Sequence, residues 1–249
     1  IAKYPEHERA MRRYGTPSFG IARVFPTDVR DLLVKPFEIP PFWVRLCGID
    51  FGYLHNAGFV WAALDRDSDT IYIYDCLRGS RIGIAAQVSM MAKHGKDIPW
   101  VWPHDGLQDK GLGPLARKFK EAGANMLSDH FQNMPGLDGK PGGIAVAPGI
   151  EEIRARAATG RFRVFNHLSE WKQEYDMYHY DANGKIVARD DDVMSATRYV
   201  VCSISRFGRV LQKHRPRVEH VALGAGSSYD PWHDYSTDDE RGGKSSSLV

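Results

Sequence analysis

The chain is poor in cysteine and has no long apolar run, and each shortage excludes a class of protein. Three isolated cysteines, Cys47, Cys76 and Cys202, stand in apolar stretches with no Cys-x-x-Cys spacing. Neither a disulfide framework nor a cysteine zinc site or redox motif is expected, and the setting reads as reducing. No apolar stretch approaches the roughly 20 residues that cross a bilayer, and the start, Ile-Ala-Lys-Tyr-Pro-Glu-His-Glu-Arg, is neither a signal peptide nor an initiating Met. The chain is therefore expected to be an excised fragment without a membrane partner. A phosphate-binding Gly-x-x-x-x-Gly-Lys-Ser/Thr loop is also missing, since Gly139-Lys140 runs into Pro141 and lacks the earlier glycine. ATP hydrolysis is not expected, and no internal repeat is found.

What is present suits a globular α/β protein. Its 249 residues, 43% of them hydrophobic, suffice for one large domain or two small ones. The net charge of +2 hides an asymmetry: residues 218–249 carry six acids against Arg241 and Lys244, which leaves +6 for residues 1–217. A moderately basic body suits a polyanionic partner without demonstrating one.

Residues 1–20 read as a polar connector, with a short helix over 6–13 ended by Gly15, Pro17 and Gly20. Apolar runs at 43–51, 57–64 and 70–77, joined by short loops, predict an antiparallel three-stranded meander. The period then becomes helical over 82–94, with a strand at 99–102, a helix at 112–122 and a strand near 124–127. Residues 135–148 read as a Gly/Pro-rich loop. Helices at 150–158 and 167–178 flank a strand at 161–165, and Asp181-Ala-Asn-Gly184 is a turn. Gly/Ser-rich segments after residue 223 predict a mobile acidic tail.

The chemistry concentrates in carboxylates. Over 189–200 (Arg-Asp-Asp-Asp-Val-Met-Ser-Ala-Thr-Arg-Tyr-Val), apolar residues Val193, Met194, Val200, Val201 and Ile204, with Thr197, recur at helical spacing, which predicts an amphipathic helix. Asp190, Asp191 and Asp192 fall in its first turn, where they would cap the helix and meet its dipole. Three adjacent acids exceed what a cap needs, and a divalent cation absorbs the surplus. Gly48-Ile-Asp50-Phe-Gly52 puts an acid at a strand end between residues without side chains, which leaves room for a metal or phosphate. Taken alone, the same motif describes an Asp-Gly turn ending a strand more readily than a ligand site. Trp100-Val-Trp-Pro-His-Asp105-Gly repeats the theme. Converging at one sheet edge, such acids would hold two divalent ions roughly 3.5–4 Å apart for phosphodiester cleavage, and oxygen-only ligands suit Mg²⁺ or Mn²⁺.

A meander carrying Gly-Ile-Asp-Phe-Gly, an acid in Pro-His-Asp-Gly and Asp-Asp-x-x-x-Ala-x-Arg-Tyr on a late helix together resemble the RNase H-like nuclease domain of tailed-phage terminase large subunits, most closely of the headful-packaging type. The opening Tyr4-Pro-Glu-His-Glu-Arg9 and the stretch from Gly20 to Phe25-Pro26 resemble the segment that follows the ATPase motor in that family. The resemblance covers about residues 1–210. It implies an α/β, RNase H-like fold, a mixed sheet with an antiparallel meander and helices on both faces. The implied domains are a linker from a missing motor (1–25), the nuclease domain (26–217) and a flexible acidic tail (218–249).

It further implies a metal-dependent endonuclease that cuts concatemeric double-stranded viral DNA in the host cytoplasm, with the terminase small subunit and the portal or procapsid as partners. Asp50, Asp105, Asp191 and Asp192 would be catalytic metal ligands for two Mg²⁺ or Mn²⁺ ions. The chain departs from many relatives by carrying Ser195 where they have an acid, and from some by having Asp105 in place of Glu. Other readings are a docking module that binds a portal through its tail, or a RuvC-like junction resolvase.

Among lesser candidates, His55 is expected near the cleft and His104 beside Asp105 as an outer or surface residue. Arg78, Arg81, Arg206, Arg209, Lys213, Arg215 and Arg217 are candidate phosphate contacts. Arg198 and Tyr199 are expected to tie helix to sheet, and Trp100 and Trp102 to be core.

Overall fold

A computed structural model describes residues 23–210 apart from 110–112, 136–141, 182 and 188. The connector up to residue 22, the tail at 218–249, and Lys213, Arg215 and Arg217 lie outside the described residues. In chain order the elements are α1 (Val29–Leu32), β1 (Leu33–Val34), β2 (Val44–Asp50), β3 (Ala57–Asp65), β4 (Thr70–Gly79), α2 (Ile84–Ala92) and β5 (Trp100–Val101). A 3₁₀ turn (His104–Leu107) follows, then α3 (Leu115–Glu121), α4 (Val146–Ala158), β6 (Phe162–Phe165), α5 (Ser169–Met177), α6 (Asp192–Phe207) and β7 (Arg209–Val210).

The strands form one sheet in the order β1-β6-β4-β3-β2-β5, with β7 also paired to β2. The β2–β3–β4 meander is antiparallel, while β6 joins β4, β1 joins β6 and β5 joins β2 in parallel. The mixed α/β architecture expected from the sequence is therefore the one observed. β3 is buried along almost its whole length because both sheet faces are covered, which is why its sequence is a continuous apolar run without alternation.

On one face, Val44 and Leu46 of β2 and Val60 and Ala62 of β3 pack with Val193, Ala196 and Val200 of α6, Ile150 and Ile153 of α4 and Trp171 of α5. On the other, Cys47, Ile49, Phe59 and Trp61 pack with Val88 and Met91 of α2 and Ala116 and Phe119 of α3. Trp100 and Trp102 are core on this second side, and the indole N–H of Trp102 donates to the Leu127 carbonyl at 2.9 Å. Strand alternation puts Asp50 on the α6 side, in line with Val44, Leu46 and Gly48.

Four details differ from the reading of the sequence. Residues 124–127 form only an isolated bridge, Met126 to Trp100, because β5 itself is two residues long. α4 begins at Val146, so Pro148 lies inside the expected loop but within the helix's first turn, where its missing N–H costs nothing. A short α1 and the edge strand β1 occupy a stretch read as an approach to the first strand. Finally, α6 is buried nearly all round, because α4 and α5 cover the side turned away from the sheet.

Candidate metal centre

Asp50 is the last residue of β2 and stands opposite Gly58 of β3. A Cβ on Gly58 would lie 2.4 Å from the backbone oxygen of Asp192, and one on Gly48 would lie 2.3 Å from that of Ala196. These two glycines therefore let the backbone of α6 rest directly on the strands, which brings its acidic end beside Asp50. This corrects the expectation that bare glycines leave ligand room: the helix fills the space at Gly48, and the Asn56 carbonyl fills that at Gly52.

The acidic turn holds the second finding. Asp190 adopts a left-handed backbone (φ 51°), and Asp191, at the N-cap position, makes no side-chain capping bond. The cap comes from α5. Oε2 of Glu174 accepts from the amides of Val193 at 2.8 Å and Met194 at 3.1 Å, and Oε1 accepts from Nη1 of Arg78, at the end of β4, at 3.0 Å. Glu174 is one of the few buried acids, and burial pushes its carboxyl up to about 7 against the pull of these three donors. The expected self-capping by the aspartates is thus overturned: a carboxylate from another helix satisfies the orphan amides. Arg78, a candidate DNA contact, gives Nη1 of its guanidinium to this internal pair.

Freed from capping, Asp191 and Asp192 line a cavity of about 650 Å³ together with Asp50, His55, Asn56 and Asp190. Burial, then the Asp192 and Asp191 carboxylates, raise Asp50 to about 8, with Asp105 adding to the same effect and the Arg198 guanidinium opposing it. Asp191 and Asp192 are also raised, first by burial; Asp192 adds to the rise in Asp191, while His55 restrains that of Asp192. Nδ1 of His55 lies 3.4 Å from Oδ1 of Asp192, so this histidine is at the cleft as expected.

Arg198 and Tyr199 prove to be more than ties between helix and sheet. The Tyr199 hydroxyl donates a long, 3.4 Å hydrogen bond to Oδ1 of Asp50. The buried guanidinium of Arg198 lies over the rings of Tyr199 and Phe131, at 4.6 and 5.1 Å, and its Nη1 has no hydrogen-bond partner among the described residues. Of the remaining basic candidates, Arg206 donates to the Gln132 carbonyl at 2.8 Å, and Arg209, exposed in β7, lies opposite Arg45 of β2 in the strand register. Arg81 is exposed, with φ 59°.

Asp105 is exposed on the 3₁₀ turn after β5, where its Oδ1 accepts from Gln108 at 3.4 Å. It lines a separate cavity of about 360 Å³, which meets the carboxylate cleft at His55. His104 is exposed and stacks edge-on against His130. Three of the four candidate acids therefore share one cleft, and the fourth acts on Asp50 from the neighbouring one. Among the described residues no group of three or more His, Cys, Asp or Glu is close enough to clasp a metal ion. The donor chemistry nevertheless fits a hard divalent cation: the ligands offered are carboxylate oxygens, and their mutual repulsion is what a cation relieves.

A mixed sheet with an antiparallel meander, an acid closing its first strand and an acid-tipped helix laid across it define the RNase H-like class. Residues 47–203 match the family model of the terminase RNaseH-like domain, and the chain belongs to that family. The large terminase subunit of Salmonella phage P22 is 36% identical over 217 residues, 86% of this chain and 42% of that protein. That of Enterobacteria phage LP7 is 37% identical over 201 residues, 80% of this chain and 41% of that one. The chain thus spans about two fifths of the length of these curated relatives.

Among solved structures, the nuclease domain of the P22 large terminase is similar with a TM-score of 0.68 at 35% identity, covering 76% of this chain and 94% of that one. The nuclease of the large terminase of phage G20c, solved with bound cobalt, shares the fold at 19% identity (TM-score 0.51, 73% and 97% of the two chains).

Proposed function

We propose that this domain is a metal-dependent endonuclease that cuts concatemeric double-stranded viral DNA during genome packaging, by two-metal phosphodiester hydrolysis. One observation carries the reading: Asp50, Asp191 and Asp192 face one cleft and raise one another's carboxyls despite His55 and Arg198 nearby, while the capping that would explain the acidic turn is done by Glu174. Asp50, Asp191, Asp192 and Asp105 would hold Mg²⁺ or Mn²⁺, which when bound activates water and neutralises charge on the phosphate.

The rest is the work of the protein's own groups. The Tyr199 hydroxyl orients Asp50, and the Glu174–Arg78 pair fixes the turn that carries Asp191 and Asp192. His55, beside Asp192 and on the open side of the cleft, is placed to exchange a proton with the leaving group or the attacking water. The whole terminase implied by the relatives would act in the host cytoplasm with a small subunit and a portal or procapsid. Among the described residues no helix is long and apolar enough to cross a membrane.

The test is nicking of supercoiled plasmid with Mn²⁺ or Mg²⁺. Cutting should require the cation and be abolished by Asp50→Asn. Undiminished cutting by that variant, or cutting in excess chelator, refutes the proposal.

A further inference from the structure

The smaller cavity beside the carboxylate cleft has features that phosphodiester cleavage alone does not use. Its volume of about 360 Å³ falls within the roughly 300–1,000 Å³ of sites that enclose a small organic group. Phe51 and Phe119 form an aromatic wall with ring centroids 5.0 Å apart, and Tyr53, exposed to 58%, stands at the mouth. Lys118 adds a cation to the lining.

Gln87 lines the same space and is buried. Its amide NH₂ donates to the carbonyls of Ile82 at 2.7 Å and Gly52 at 3.4 Å, which fixes the orientation of the group. The other end, Oε1, is left as a buried acceptor with no partner among the described residues. An unfilled acceptor in an apolar wall is costly unless a donor arrives from outside. The cavity opens beside the candidate metal centre, since His55 lines both spaces, and Leu54, 82% exposed, projects from the same loop into the carboxylate cleft.

We propose that this cavity receives a single nucleobase swung out of the DNA strand being cut. The base stacks on the Phe51/Phe119/Tyr53 wall, an exocyclic N–H donates to Gln87 Oε1, and Lys118 meets an adjoining phosphate. Leu54 takes the vacated place in the base stack, as apolar wedges do when they unstack a step. Stacking is tolerant of base identity, so the pocket adds grip without imposing a strict sequence. This inference rests on the reading of the neighbouring cleft as the site of cleavage.

Three otherwise identical duplexes test it with the full chain: one fully paired, one with a single unpaired adenine, and one with an abasic residue in place of that adenine. In Mn²⁺, incision beside the unpaired adenine should be about tenfold faster than beside the abasic residue, the scale of one base–aromatic stack. In Ca²⁺, fluorescence anisotropy should give the same preference in affinity. Ile84→Trp, which fills the cavity, and Tyr53→Ala, an exposed position that removes one stacking face, should each bring both ratios towards one.

Equal rates and affinities for adenine and abasic duplexes overturn the pocket while leaving the nuclease reading intact, and so do ratios that both variants leave unchanged. Conversely, an adenine preference in binding with no cutting of any duplex supports the pocket and refutes the nuclease.

Discussion

Replacing Glu174 tests whether a helix is held at its acidic end by a side chain from elsewhere. Glu174→Ala leaves the amides of Val193 and Met194, and the Nη1 group of Arg78, with no acceptor in the interior. An orphaned buried donor costs about 1–3 kcal/mol, and removing one partner of a buried ion pair about 3–5 kcal/mol. Because the three donors share one carboxylate, these costs overlap, and a loss of about 4 kcal/mol is expected. At roughly 2–4 °C per kcal/mol for a domain of this size, Tm should fall by about 8–16 °C.

The assay is thermal unfolding of the metal-free chain, followed by circular dichroism and by tryptophan fluorescence to check that the transitions coincide. A Tm within about 2 °C of the unaltered chain refutes the cross-helix cap. Glu174→Gln keeps an acceptor for the amides but cannot ionise, and so isolates the charge. The carboxyl is raised from 4.5 to about 7 in the folded chain, which therefore holds the proton more tightly than the unfolded chain does. The stability contributed in this way is full below about 4.5 and is lost as pH rises through about 7, by roughly 3 kcal/mol in all. Glu174→Gln should therefore gain on the unaltered chain between pH 5 and pH 8. A constant gap over that interval sinks the argument.

The other expectations concern the strands beneath the helix. Asp50, raised to about 8, contributes stability below about 3.8 that is lost as pH climbs through about 8. Asp50→Asn should thus raise the Tm of the metal-free chain at pH 9 while ending cation-dependent cutting, and a lowered Tm there contradicts the strained-carboxylate account. Saturating Mn²⁺ should stabilise the unaltered chain, by about 2.7 kcal/mol at a hundred times Kd, and leave Asp50→Asn largely unmoved; equal shifts in both place the ion elsewhere. Gly58→Ala, whose Cβ meets the Asp192 carbonyl oxygen at 2.4 Å, should cost about 1–3 kcal/mol and slow cutting by displacing the acidic turn. Chemical denaturation together with the plasmid assay would register an unaffected variant as a failure of the packing argument.

The meander was legible in the sequence to within a residue or two, because strands covered on both faces read as apolar runs bounded by turns. Asp65 to Asp69 is such a turn, with Asp65 accepting from the Asp67 amide and the Ser68 hydroxyl. The acidic helix was legible from its spacing, and Asp50 from its place at a strand end. Glu174 was not. It lies in Ser-Glu-Trp-Lys-Gln-Glu-Tyr-Asp-Met, whose polar composition reads as a solvated face. The available signal was positional: Glu174 falls three residues after Trp171 and one before Tyr175, on the stripe those two aromatics bury. Asp105 was singled out in the sequence, but the 3₁₀ turn that carries it towards the second cavity sets Gly106 closely against Phe51, distant in the chain, as well as against nearby Trp102. No local pattern encodes that.

The cap donated by Glu174 has a consequence for how such a domain is modified. Because the fold does not draw on the side chains of Asp191 and Asp192 to close its central helix, their identities are an adjustable setting on an independent frame, whereas Asp190 is constrained by its left-handed backbone. Under the proposed reading, exchanging Asp191 or Asp192 for a longer acid, an amide or a soft ligand would retune which ion the cleft prefers without removing the cap on the helix, so that cation choice could be redesigned one residue at a time.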